Sequence, residues 1–240
     1  TPKPSSAASD VYKRQALDYA KPDGLAVVHD LVKTADVVVV NLPPRAAAKL
    51  GVDDATLRRI KPDLVYVSIT GFGMTGQRSD WTCYDLIAEG YSGIMDLTGE
   101  ISGDAQKVGA PAADMLAGQD AAFATVSSLF ARQKNGRGRT IDIALVDSMT
   151  RFLACRMVPF LGSGELPRRS GGKDSVIAIY QTFETADHPI TLGLGNDAIW
   201  KRFWDALGEP AFGSRAEFKT NADRRGCQKP VRRAHPRSVS

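Results

Sequence analysis

The 240 residues are 43% hydrophobic and 24% charged, an ordinary globular composition that suits one large domain or a domain with part of another. No apolar run nears the roughly 20 residues of a membrane span, no signal-peptide series opens the chain, and Cys83, Cys155 and Cys227 lack the spacing of a disulfide framework or a zinc site; neither membrane nor metal is expected, and a cytoplasmic location is. The net charge of +4 is badly placed for a nucleic-acid partner, because six Arg or Lys and no acid fall between Arg224 and Ser240, and without them the remainder carries −2.

Both ends read as foreign to the rest. "DVYKRQ", Asp10 to Gln15, resembles the translation of a transposase adapter used in preparing sequencing libraries, so residues 1–15 are expected to be non-native. Residues 224–240, "RRGCQKPVRRAHPRSVS", lose all apolar periodicity and read as a frameshifted or disordered tail.

Between them, "GLAVVHDLVKTA" sets Leu25, Val28, Leu31, Val32 and Ala35 on one helical face, and "DVVVVN" follows as a strand buried on both faces. "AAAKLGVDDATLRRIKPD" is helical in two pieces with Asp53 or Asp54 as a cap, before a second buried strand, Leu64 to Thr70. Strand, helix, strand makes a parallel unit with a right-handed crossover. Asn41 and the loop "GFGMTG", Gly71 to Gly76, then stand at the carboxyl ends of neighbouring strands, where open α/β sheets bind ligands.

"YDLIAEGYSGIMDLTG" reads as a helix with Leu86, Ile87, Tyr91 and Ile94 inward. A longer helix from Asp114 carries a stripe of Leu116, Phe123, Val126 and Phe130, while Ala117, Gly118, Ala121 and Ala122 permit a close backbone approach and Gly136 and Gly138 end it. "RTIDIALVDS" is a strand alternating Ile141, Ile143 and Leu145, and Asp147 or Ser148 caps the helix of Met149, Phe152, Leu153 and Met157. After "GSGELPRRSGG" strands and an amphipathic helix restart, with Trp200 and Trp204 as packing. The expected fold class is α/β: a parallel Rossmann-like sheet flanked by helices, as an incomplete large domain over 16–185, with the start of a smaller α+β domain over 186–223.

"GFGMTG" also fits the dinucleotide pattern G-x-G-x-x-G. That fingerprint needs a helix opening within the glycines and an acid closing the next strand. Here "QRSDWTCYD" intervenes, and Asp96, about 20 residues on, sits at a helix end. An NAD-binding Rossmann protein therefore ranks below the reading that follows.

In order along the chain, "NLPP", "KLGV", "KPDLVYVSITGFGMTG", "YDLIAEGYSGIMDLTGE", "KVGAPAADMLAG", "ARQKNGRGRTIDIALVDS" and "TFETAD" with "LGLGND" resemble the family III CoA-transferases of the CaiB/BaiF type. This group holds formyl-CoA:oxalate and carnitine CoA-transferases and the α-methylacyl-CoA racemases. Its members are roughly twice as long, so the resemblance implies a central piece of such a protein. It makes Asp114 the nucleophile that carries an aspartyl-CoA thioester. It assigns Asn41, Leu42 and Pro43 to the nucleotide of coenzyme A, Lys49 to a phosphate, and Thr70, Gly71, Phe72 and Gly73 to the pantetheine. Gly171 and Gly172 fall near the family's glycine loop. An acyl-CoA donor, a carboxylate acceptor and an interlocked homodimer are the implied partners.

Local pattern alone would make Asp114 a helix cap. Within the family, the racemase base is a histidine that matches Tyr84 here, and a phenol titrating near about 10 is a poor substitute. His29, His188 and His235 lie out of register. Transferase is favoured over racemase, and an inactive truncated fragment stays open as a third reading.

Overall fold

The computed structural model describes residues 16–174 and 176–227; the expectations for residues 1–15 and for 228–240 lie outside these residues. The described chain divides into two compact units, one of residues up to Ile94 with Val108–Gly162, the other of Met95–Lys107 with the residues from Ser163 onward.

In chain order the first stretch forms α1 (Pro22–Thr34), β1 (Val37–Val40), α2 (Pro44–Lys49), α3 (Asp54–Ile60), β2 (Val65–Thr70), α4 (Asp85–Ser92), α5 (Ile94–Leu97), α6 (Ala112–Asn135), β3 (Thr140–Ala144), α7 (Leu145–Phe152) and α8 (Ala154–Ser163). The three strands pair in parallel in the order β1-β2-β3, with Val37 opposite Val65 and Ile69 opposite Ile143. Alternation along β2 explains the layering. Val65, Val67 and Ile69 point to one face with Ile141 and Ala121, while Leu64 and Tyr66 join Val32, Ala47, Val52 and Leu57 on the other. The sheet is thus covered by α6 on one side and by α1, α2 and α3 on the other.

Asp53 is the cap of α3, its carboxylate accepting from Thr56 N at 3.0 Å. Other local expectations need correction. β1 is not buried on both faces: it is an edge strand, α6 lies over β2 and β3, and Val39 is 59% exposed. Leu31 on α1, expected on the inward face, is 62% exposed. On α6 the small face turns inward, with Ala113, Ala117 and Ala121 buried, which brings the helix close to the sheet; the large stripe turns outward, leaving Phe123 77% exposed. On α4 the buried pair is Ala88 and Glu89, while Leu86, Ile87 and Tyr91 are exposed. Leu145 opens α7 instead of extending β3, and Ser148 does not cap it: Ser148 Oγ donates to Asp120 Oδ2 on α6 at 2.8 Å. Gly136, at φ +67, ends α6 in the left-handed conformation that glycine adopts without strain.

The second unit pairs β4 (Tyr180–Phe183) antiparallel with β5 (Ile190–Gly193), followed by α9 (Asp197–Ala206), α10 (Pro210–Gly213), a 3-10 turn at 216–218 and α11 (Asn221–Gly226). Trp200, Trp204, Phe218 and Leu194 form its core. Residues 95–107 belong here because Arg169 Nη1 meets Asp96 Oδ1 at 3.1 Å and Gly171 N donates to Gly99 O at 3.1 Å. Arg224, the first residue of the segment expected to be a tail, lies in α11 with only 2% exposure, donating to Phe218 O at 2.8 Å and to the Asp197 carboxylate.

Candidate functional site

The site is built where β2 ends. Thr70 Oγ1 accepts from Gly73 N at 2.9 Å, Gly71 O accepts from Val146 N at 3.2 Å, and Met74 N donates to both Asp142 carboxylate oxygens at 2.9 and 3.1 Å. Those bonds tie the loop to Thr70 itself, to β3 and to the start of α7. No helix opens in it, the next beginning at Asp85, so no helix N-terminus stands behind these glycines as a dinucleotide site requires. Phe72 meets Trp81 and Tyr91 edge to face at 5.9 and 5.0 Å between centroids, and the Arg78 guanidinium lies over both partner rings.

Gly71 is where the loop touches the expected nucleophile's surroundings. A Cβ there would stand 2.0 Å from Cys83 Cβ, so only glycine lets the two segments approach this closely. Burial pushes the Cys83 thiol up, against a backbone hydrogen bond from Ala88, and the Asp114 and Asp85 charges push it further. A thiol held neutral is a poor nucleophile.

Asp114 is the third residue of α6, in its first turn, and it is not the cap. The N-cap position is Pro111, whose side chain accepts nothing. The capping is done from the first turn of α4, where Asp85 Oδ1 accepts from Ala113 N at 2.8 Å and Asp114 N at 3.3 Å. With those N–H groups donated to Asp85, they do not hold the Asp114 carboxylate ionised. Although Asp114 is exposed as a whole, partial desolvation of its carboxyl pushes it above the usual range, and the Asp85 charge adds to the effect. One turn along α4, the fully buried Glu89 accepts from Val108 N at 2.8 Å and holds the approach to α6. A single short helix therefore positions both the approach and the start of the helix bearing Asp114.

On the neighbouring strand, Asn41 and Leu42 follow β1 and border an apolar cavity of about 230 Å³ walled by Val38, Val40, Val52 and Leu57. Pro43 precedes α2, and Lys49 closes that helix, exposed and in no ion pair among the described residues. Asp80 links the two loops: its carboxylate accepts from Arg45 N at 3.2 Å and from Arg45 Nε at 2.7 Å. Gly171 and Gly172 lie in the second unit, Gly171 at φ +62 with its N–H donated to Gly99 O.

Thr70, Gly71, Phe72 and Gly73 and Asp114 are thus brought to one edge of the first unit, through Cys83, and Asn41 and Leu42 share that edge one strand away. Sequence reasoning gave Cys83 no place in the site and singled out neither Asp80 and Glu89 nor the pairing of Asp85 with the start of α6. The available signal was Pro111, a residue that offers no cap before "AAD", which calls for an acceptor from elsewhere. Among the described residues no three His, Cys, Asp or Glu are grouped to hold a metal ion, and no helix is long and apolar enough to cross a membrane.

This fold and site define an α/β protein that presents a carboxyl beside a glycine loop at the strand ends. A family model described as CoA-transferase family III matches residues 12–235, and the chain belongs to that family. It is 39% identical over 207 residues to a succinate–glutarate CoA-transferase of Agrobacterium fabrum, covering 86% of this chain and 52% of that protein. It is 31% identical over 216 residues to an acetyl-CoA:oxalate CoA-transferase of Acetobacter aceti, covering 90% and 56%. The crystal structure of a CaiB/BaiF family protein from Brucella suis superposes with a TM-score of 0.76 at 36% identity, over 90% of this chain and 57% of that one. The chain spans about half the length of the curated relatives it matches.

Proposed function

We propose that the protein moves coenzyme A between an acyl-CoA thioester and a carboxylic acid, with Asp114 as the nucleophile. The observation that carries this reading is that Asp114 opens α6 near enough to Cys83, the residue packed on Gly71, for its charge to act on that thiol, while Asp85 and not Asp114 caps the helix. The neutral Cys83 thiol leaves the carboxylate as the better nucleophile of the two.

The chemistry follows from the carboxylate. Asp114 attacks the thioester carbonyl, the C–S bond breaks, and CoA leaves as thiolate from an aspartyl–acyl anhydride. The thiolate attacks the aspartyl carbonyl, the donor acid leaves as carboxylate, and an aspartyl-CoA thioester remains. The acceptor carboxylate repeats the exchange in reverse, regenerating Asp114. Covalent relay replaces one hard exchange between a thioester and a carboxylate with easier steps.

Asn41, Leu42 and Pro43 beside the apolar cavity hold the nucleotide end, Lys49 a phosphate, and Thr70, Gly71, Phe72 and Gly73 the pantetheine. The named activities of the two relatives point to short dicarboxylates as acceptors. The exposed Phe123, Val126 and Phe130 row on α6 fits burial in a homodimer of the whole protein, which we place in the cytoplasm. A racemase reading is not favoured, since the position that the resemblance gives to the racemase histidine is held by Tyr84, at the N-cap of α4 with 76% exposure.

Hydroxylamine trapping tests the proposal. Incubation with succinyl-CoA followed by hydroxylamine is expected to leave a hydroxamate at Asp114 by mass spectrometry, absent in Asp114→Asn. A folded chain that gives no adduct would support the inactive-fragment reading, and α-proton exchange in deuterated water without CoA transfer would support the racemase.

A further inference from the structure

Two helices of the first unit begin behind prolines and take their first acceptor from elsewhere in the chain. α6 follows Pro111 and is capped by Asp85. α2 follows Pro43 and opens on Pro44, neither of which carries an N–H, so Arg45 N is the first donor of that helix. Its N-cap offers no side-chain acceptor; Asp80 does so instead, 35 residues on, with Oδ1 at 3.2 Å from Arg45 N. The same carboxylate meets Arg45 Nε at 2.7 Å, but the Arg45 side chain is 89% exposed, so the ion pair adds little and the backbone bond carries the link. The segment from Asp80 to Asp85 thus holds the start of both helices, the one behind Asn41 to Pro43 and the one bearing Asp114.

Asp80 is also fixed to the Gly71 loop. Ser79 N and Oγ donate to Gly76 O at 3.3 and 3.1 Å, and Trp81 N donates to Arg78 O at 2.9 Å, which closes the chain between the loop and Asp80 into tight turns. Just beyond, the Trp81 ring returns to Phe72, 5.9 Å between centroids. The base of the loop is pinned without Asp80, by Thr70 Oγ1, Val146 N and the Asp142 carboxylate. Removing the Asp80 carboxylate therefore leaves the loop in place and frees the start of α2 from it. We propose, on the placement of coenzyme A given above, that Asp80 is a positioning residue that fixes the spacing between the anchors for its nucleotide and pantetheine ends. A ligand that spans two anchors loses affinity when their spacing varies, because its second contact is no longer set in advance by the first.

Calorimetric titration of the full 240-residue chain with coenzyme A and, separately, with adenosine 3′,5′-bisphosphate, its nucleotide half without pantetheine, tests this. Asp80→Ala is expected to weaken coenzyme A about tenfold, the worth of one charge-assisted hydrogen bond, and the bisphosphate less than about twofold. Retained bisphosphate binding also shows that the variant is folded. Asp80→Asn keeps an oxygen for Arg45 N and should weaken coenzyme A only about threefold. Equal weakening of both ligands makes Asp80 a structural residue of α2 alone and overturns the inference, as does coenzyme A binding that is unchanged in Asp80→Ala. The titrations need no turnover, so a chain that binds coenzyme A yet forms no hydroxamate at Asp114 fails the nucleophile assignment and leaves this result standing. Absence of coenzyme A binding by the wild type overturns both.

Discussion

Gly71→Ala puts the close approach of the β2 loop and Cys83 to a direct test. The new Cβ would start 2.0 Å from Cys83 Cβ and 2.8 Å from its Sγ. Carbon atoms in contact sit about 3.5–4.0 Å apart, so a displacement of about 1.5 Å or more has to be absorbed. The Gly71 backbone is poorly placed to absorb it, because its carbonyl accepts from Val146 N and the next turn is closed by Thr70 Oγ1. The strain therefore falls on Cys83 and through it on Asp114. Overpacking costs typically about 1–3 kcal/mol, and the upper half is expected here because the opposing atom is a Cβ next to backbone, not a flexible tip. Cys83→Gly alone should cost about 1 kcal/mol in backbone entropy and lost contact. The double variant should recover part of the Gly71→Ala loss, with a coupling of about 1–2 kcal/mol. Amide exchange of residues 65–70 reads the first unit's stability directly, and urea melts supply the cycle. A Gly71→Ala cost below about 0.5 kcal/mol, or additivity within that margin, would falsify the reasoning.

Asp85→Ala removes the acceptor for two N–H groups at the start of α6 and is expected to cost about 1–2 kcal/mol, against less for Asp85→Asn, which keeps an oxygen; chemical denaturation of both variants decides. Asp114→Asn should stabilise the fold at neutral pH. Its carboxyl is raised in the folded state above the ordinary 3.8, so its ionisation opposes folding as pH rises past that value; the gain should vanish below it, as thermal midpoints at pH 3.5 and 7 would show. Arg224→Ala strips the bonds to Phe218 O and Lys219 O and the stacking on Trp200, and should cost the second unit about 2–3 kcal/mol by tryptophan-detected unfolding.

The parallel pairing of β1 with β2, a cap at Asp53 or Asp54, the end of α6 near Gly136 and Gly138 and the tryptophan core were legible because each has a local cause: β-branched runs, a short acceptor side chain, a left-handed glycine and helical spacing. The fate of the apolar stripe on α6 was not legible. Periodicity marks a face without saying what covers it, and here Ala113, Ala117 and Ala121 met the sheet because small residues let the backbones approach. Likewise the cap on α6 comes from Asp85, about 28 residues earlier by sequence, a contact that only the tertiary arrangement of α4 creates.

At the far end of α6, Arg132 donates to Asp36 O at 3.4 Å and Asp63 O at 3.2 Å, and pairs with Asp36 Oδ1 at 2.5 Å, the residues just before β1 and just before the segment leading into β2. Eighteen residues of helix, about 27 Å, separate this anchor from Asp114. The helix works as a rigid ruler pinned at the amino edge of the sheet, so the height at which the carboxyl stands over the opposite edge is set from the far end of α6. A change at Arg132 would act on reactivity through alignment while leaving every group around Asp114 chemically intact.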